Sequence, residues 1–105
     1  MYQVHEASFL GFAYESLTVA ATAKIMTVAT YKPATTESSH AKRAFITVET
    51  AQVRYRYDGT DPTSSEGHIL NVNDVLILTG IGNLSKFRAI RTGGTSGVLK
   101  VTYEK

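Results

Sequence analysis

The residues of this chain best suited to chemistry are three histidines, His5, His40 and His68, and the carboxylates Asp58, Asp61 and Glu66. No two histidines have the i, i+2 or i, i+4 spacing that sets a pair of metal ligands on one element, and there is no cysteine to complete a site. The same lack of cysteine removes disulfides, thiolate metal centres and thiol nucleophiles. A serine nucleophile has no Gly-x-Ser-x-Gly elbow to sit on. The expectation is a protein with no catalytic site, no bound metal and no cofactor.

The carboxylates fall in Asp58-Gly59-Thr60-Asp61-Pro62-Thr63-Ser64-Ser65-Glu66-Gly67-His68. Calcium takes about six to eight oxygens, and this run does not follow the Asp-x-Asp-x-Asp-Gly spacing that supplies them. Asp58-Gly59 and Asp61-Pro62 read instead as structural turns, with Asx-type bonds from side chain to backbone. Gly80-Ile81-Gly82-Asn83-Leu84 has the look of a phosphate loop, but such a loop needs a following helix, and Ser85 to Arg91 reads as a strand. Arg54, Arg56, Arg88 and Arg91 with Tyr31, Tyr55 and Tyr57 could make a basic, aromatic face for single-stranded nucleic acid. Alternation places Arg54 and Arg56 opposite Tyr55 and Tyr57, so cations and rings diverge, and the arginines read as solvated charges that discourage edge pairing. No specific nucleic-acid partner is expected.

The elements that must position these groups are strands. Val53, Tyr55 and Tyr57 alternate with Arg54 and Arg56; Ala44, Ile46 and Val48 alternate with Phe45, Thr47 and Glu49; Leu99, Val101 and Tyr103 alternate with Val98, Lys100 and Thr102. Thr50-Ala51 between the first two runs predicts a tight hairpin or a bulged bend. Val75-Leu76-Ile77-Leu78 is apolar on both faces, and Phe87 to Arg91 mixes apolar and cationic positions; both read as strands. Asp58-Gly59, Asp61-Pro62, Gly80, Gly82-Asn83 and Gly93-Gly94 punctuate the runs. Leu17 to Ala23 and Lys24 to Tyr31 also read as strands, because Thr18, Val19, Thr22, Thr27, Val28 and Thr30 are β-branched. The segment Lys32 to Ala41 has no apolar period and reads as an exposed loop.

The chain has 105 residues, 43% hydrophobic and 19% charged, which suits one domain with its own core. Eleven basic against nine acidic residues leave a formal charge of only +2, so the sequence pI near 9.0 does not mark a basic domain. The start, Met1 to Glu6, lacks the pattern of a secretory signal, and no stretch approaches the roughly 20 apolar residues of a membrane helix, so no membrane partner is expected. The fold expected is an all-β, single-domain antiparallel β-sandwich or β-barrel of about seven or eight strands, with residues 1–13 as an N-terminal arm and 14–105 as the domain. Its core should draw on Leu17, Val19, Ile46, Val48, Val53, Tyr55, Val75, Ile77, Phe87, Ala89, Leu99 and Val101.

Val53-Arg54-Tyr55-Arg56-Tyr57-Asp58-Gly59-Thr60-Asp61-Pro62-Thr63, followed by Gly67-His68, Asn73-Asp74-Val75 and Phe87-Arg88-Ala89-Ile90-Arg91, resembles a group of small tailed-bacteriophage virion structural proteins. The likeness extends to Tyr14 to Ala20, Ala44 to Thr50 and Gly97 to Tyr103. The Tyr-x-Tyr-Asp-Gly-Thr-Asp-Pro-Thr turn is also similar to a strand-turn signature of immunoglobulin-like modules appended to carbohydrate-active enzymes. The resemblance implies a virion structural protein: a capsid-associated decoration or cement protein that binds the major capsid protein, or another virion protein, as a homo-oligomer on a particle assembled in the bacterial cytoplasm. The alternative it leaves is a tail, head-tail or fibre module that recognises a protein or a host glycan. The arm and the Lys32 to Lys42 loop depart from the group's pattern. Tyr2, Val4, Phe9, Leu10 and Phe12 are too apolar for a solvated tail, and Lys32, Glu37, His40 and Lys42 suit a polar rim, so these are the expected assembly contacts.

Overall fold

The computed structural model of the chain describes residues 9–105. Among the described residues, eight strands form two four-stranded sheets in which every pairing is antiparallel. The first sheet has the order β1 (Gly11–Val19), β8 (Gly97–Glu104), β3 (Arg43–Glu49), β6 (Val75–Thr79). The second has the order β2 (Lys24–Ile25), β7 (Arg88–Arg91), β4 (Val53–Arg56), β5 (His68–Leu70). The result is an all-β sandwich. β1 starts at Gly11, so residues 11–13, expected in the arm, belong to the sheet. Tyr2 and Val4 lie outside the described residues.

Alternation explains the packing. Leu17, Val19, Ile46, Val48, Leu99 and Val101 point inward from the first sheet and meet Val53, Phe87 and Ala89 from the second or its border, all buried. Phe87, placed between a helix and β7, is fully covered and stacks on Tyr55 with centroids 5.7 Å apart. Three expected core positions differ. Tyr55 is only half-buried. Val75 is exposed and Ile77 half-buried, because β6 pairs Ala44 with Leu78 and Ile46 with Leu76, which turns Leu76 and Leu78 inward. A strand apolar on both faces carries no alternation to fix its register from sequence.

Thr50 and Ala51 form a bend, not a hairpin: Thr50 takes φ 77° and the chain passes from β3 in one sheet to β4 in the other. β2 is two residues long, and Val28–Tyr31, expected in a strand, is a single helical turn, α1. The cause is tertiary. The Glu15 carboxylate accepts from the Thr27 amide at 3.1 Å and from the Thr27 hydroxyl at 2.6 Å, which ends the strand there, and Tyr31 is buried against Tyr103. Ile81–Lys86 is a helix, α2, where a strand was expected from Ser85; Leu84 anchors it in the core. It carries the chain across from β6 to β7, between the sheets.

Truncation at Phe87 tests this arrangement. Phe87→Ala is expected to lower unfolding free energy by about 3 to 5 kcal/mol, read by urea titration; a loss under about 1 kcal/mol is incompatible with full burial.

Candidate interaction surface

The loop 32–42 is held by its own polar groups. Residues Glu37–Ser39 form a 3-10 turn, the Ser39 hydroxyl donates to the Thr36 carbonyl at 2.6 Å, and His40 Nε2 donates to the Ala34 carbonyl at 3.0 Å. The Ala41 amide donates to Tyr31 and the Lys42 amide to the Glu104 carbonyl, both at 2.8 Å. A loop without apolar period thus acquires a fixed shape through capping and backbone bonds.

Beneath it lies an ion pair. Arg43 Nε donates to a Glu104 carboxylate oxygen, and both side chains are buried, 9% and 8% exposed. The Arg43 guanidinium stands 4.0 Å from the centroid of the Phe9 ring, a cation–π contact. Leu10 and Lys105 exchange two backbone bonds of 3.0 and 2.9 Å, so the N-terminal segment enters the domain along the C-terminal one. The Gly80 amide donates to the Lys42 carbonyl at 2.7 Å, which brings the end of β6 to the same place.

These contacts enclose a groove of about 630 Å³ lined by Phe9, Glu37, His40, Lys42, Thr79 and Ile81, with Ala41 and Gly80. Four of the expected contact residues, Phe9, Glu37, His40 and Lys42, therefore come together from the arm and the loop. Leu10, next to Phe9 in sequence, is 74% exposed. Lys32 is exposed and outside the groove lining, and Phe12 lies on β1 under the Lys105 ammonium, 4.7 Å from its ring centroid. Thr79 to Ile81 form the facing wall without any motif of their own in the sequence; the sheet order places them there.

The turn residues occupy another region. Gly59 adopts φ 86°, and Asp58 accepts from Arg56 through two bonds of 3.1 and 2.5 Å and from the Thr60 amide at 3.3 Å. Asp61 accepts from Arg88 at 2.7 Å, and Pro62 is buried. The strand arginines expected to guard an edge have a different task, since β4 lies inside its sheet. Arg54 holds the turn by donating to the Ser64 and Gly67 carbonyls at 3.1 and 2.8 Å. Tyr57, just past the end of β4, lines one cleft with Arg54 and Arg56, so ring and cations meet where alternation had set them apart.

Among the described residues no three His, Asp or Glu side chains gather as metal ligands, and no helix is long and apolar enough to cross a membrane. No family model, curated protein or solved structure matches this chain.

Two outcomes follow from the charge pairs. Glu104→Ala removes a buried carboxylate that Arg43 bonds, and a stability loss of about 3 to 5 kcal/mol is expected in urea titration; a loss below about 1 kcal/mol would show that this pair contributes little to the fold. The hydrogen bonds from Arg56 depress the Asp58 carboxyl from 3.8 to about 2. A depressed folded pKa means that its stabilising contribution is complete above 3.8 and is lost as pH falls through about 2. NMR titration of the Asp58 carboxyl should give a midpoint of about 2, moving to the ordinary range in Arg56→Gln; an ordinary midpoint in the parent protein would show that the pair does not form in solution.

Proposed function

We propose that this domain is a bacteriophage virion structural protein, a capsid-associated decoration or cement protein that binds the major capsid protein and works in multiple copies on the particle. The observation that carries the reading is the groove in which Phe9, Glu37, His40 and Lys42, drawn from two segments distant in sequence, share one surface. Its chemistry suits a protein partner: an aromatic ring and Ile81 provide apolar contact, and two charges of opposite sign with an imidazole form a polar rim. The strand-turn resemblance to virion proteins points the same way. A contact this small is weak in one copy, and repetition around a symmetric shell makes many such contacts effective together.

The test uses particles of the phage that encodes this chain, assembled without it and then supplied with purified protein. Parent protein is expected to occupy the shell in symmetric positions visible by electron microscopy. Deletion of residues 1–8 combined with Phe9→Ala, or His40→Ala combined with Lys42→Ala, should weaken binding by about tenfold or more while circular dichroism stays that of the parent. Undiminished occupancy would remove the groove from the contact, and absence of the chain from native particles would remove the reading itself.

A further inference from the structure

The second sheet carries a cleft of about 520 Å³ that shares no lining residue with the groove. Arg54 and Arg56 of β4, Tyr57 beyond it, His68 of β5, and Asp58 and Glu66 from the connecting turn line it. Its shape is preformed. Arg54 bonds the turn's carbonyls at Ser64 and Gly67, and Thr63 closes its tip: its hydroxyl accepts from the Glu66 amide at 2.9 Å, and its own amide donates to the Glu66 carbonyl at 2.9 Å. Gly67 has φ 131°, and a Cβ there would stand 3.1 Å from both Pro62 Cβ and the Tyr55 carbonyl, so the tight course of the turn requires glycine.

Its chemistry narrows the ligand. Arg56 is held by Asp58, and Arg54 and Glu66 share the same lining, so the cleft carries two cations and two anions. That balance favours neither an anion nor a cation. Tyr57 is 43% exposed and is braced by Tyr55 at 6.3 Å and His68 at 6.4 Å between ring centroids, which fixes an aromatic plane at the mouth. The Glu66 carboxylate makes no hydrogen bond among the described residues. Planar donors and acceptors side by side match a ligand whose groups both donate and accept, and a fixed ring offers an apolar platform to a face of C–H bonds. A neutral sugar has both properties, and the volume lies in the range of small-ligand sites.

We infer that this cleft is a saccharide-binding site for a neutral pyranose, seated on Tyr57 and hydrogen-bonded by Glu66, Arg54 and Arg56. The site is independent of the assembly groove. The full chain, isotope-labelled, is titrated with maltotriose, cellotriose and chitotriose, and separately with sialyllactose and a heparin disaccharide as anionic counterparts. At least one neutral trisaccharide is expected to move the amide resonances of residues 54–68 saturably, with a millimolar Kd. Tyr57→Ala and Glu66→Gln should each weaken that binding by about tenfold, with resonances outside the turn unmoved. The inference is overturned if no neutral sugar shifts these amides, if the anionic sugars bind as tightly as the neutral ones, or if both variants bind like the parent.

Discussion

The buried pair between Arg43 and Glu104 ties together the two central strands of the first sheet at the end where Phe9, Leu10, Lys105 and the 32–42 loop converge. Charges this deeply covered are costly without a partner, so the register that places Arg43 opposite Glu104 is coupled to their ionisation. Much else hangs on that register. It sets Ala44, Ile46 and Val48 inward against Tyr103, Val101 and Leu99, and it leaves the Arg43 guanidinium under the Phe9 ring. A slip by one residue would turn the apolar set of β3 to solvent and separate the pair at once. Electrostatics and hydrophobic burial therefore select the same pairing, which also holds Phe9 of the groove lining against Arg43.

A comparable economy governs the turn after β4. Arg54, Arg56 and Arg88 look in sequence like surface charge, yet each has a partner in the Asp58 to Gly67 segment: carbonyls at Ser64 and Gly67, the carboxylate of Asp58, the carboxylate of Asp61. The segment has little apolar material of its own beyond Pro62, so planar guanidinium groups supply the fixed geometry that a core would otherwise give. One turn is thereby shaped by two neighbouring strands, β4 and β7, and the cleft beside it needs no ligand to take form.

The sandwich was legible because β-branched and aromatic residues alternate cleanly in β3, β4 and β8, and because turn residues fall between the runs. Nine of the twelve expected core residues are buried, and five of them, Ile46, Val48, Val53, Leu99 and Val101, lie on those three strands. Legibility failed where the local signal was equal in two directions. Val75 to Leu78 is apolar on both faces, so only pairing with β3 reveals that Leu76 and Leu78 turn inward. Val28 to Tyr31 has strand-forming residues, yet a carboxylate in β1 bonds Thr27 and halts the strand. In the candidate surface, the chemistry of Phe9, Glu37, His40 and Lys42 was readable from residue type. Their convergence was not, since it depends on which strands are neighbours, and the wall from Thr79 to Ile81 has no signature of its own.

Net charge in this protein is a poor guide to its field. The +2 of the whole chain suggests a mild general attraction for anions. Yet Arg43, Arg56 and Arg88 each face a carboxylate within hydrogen-bond distance, which turns three cations into local dipoles. Paired charges project little potential beyond the Debye length, about 8 Å at physiological ionic strength. What the two concave surfaces offer is then fit at short range: a ring with charges of both signs in each, and Ile81 as an apolar contact in the groove. Such surfaces gain selectivity from rigidity, and rigidity here is supplied by the same arginine pairs that neutralise the charge.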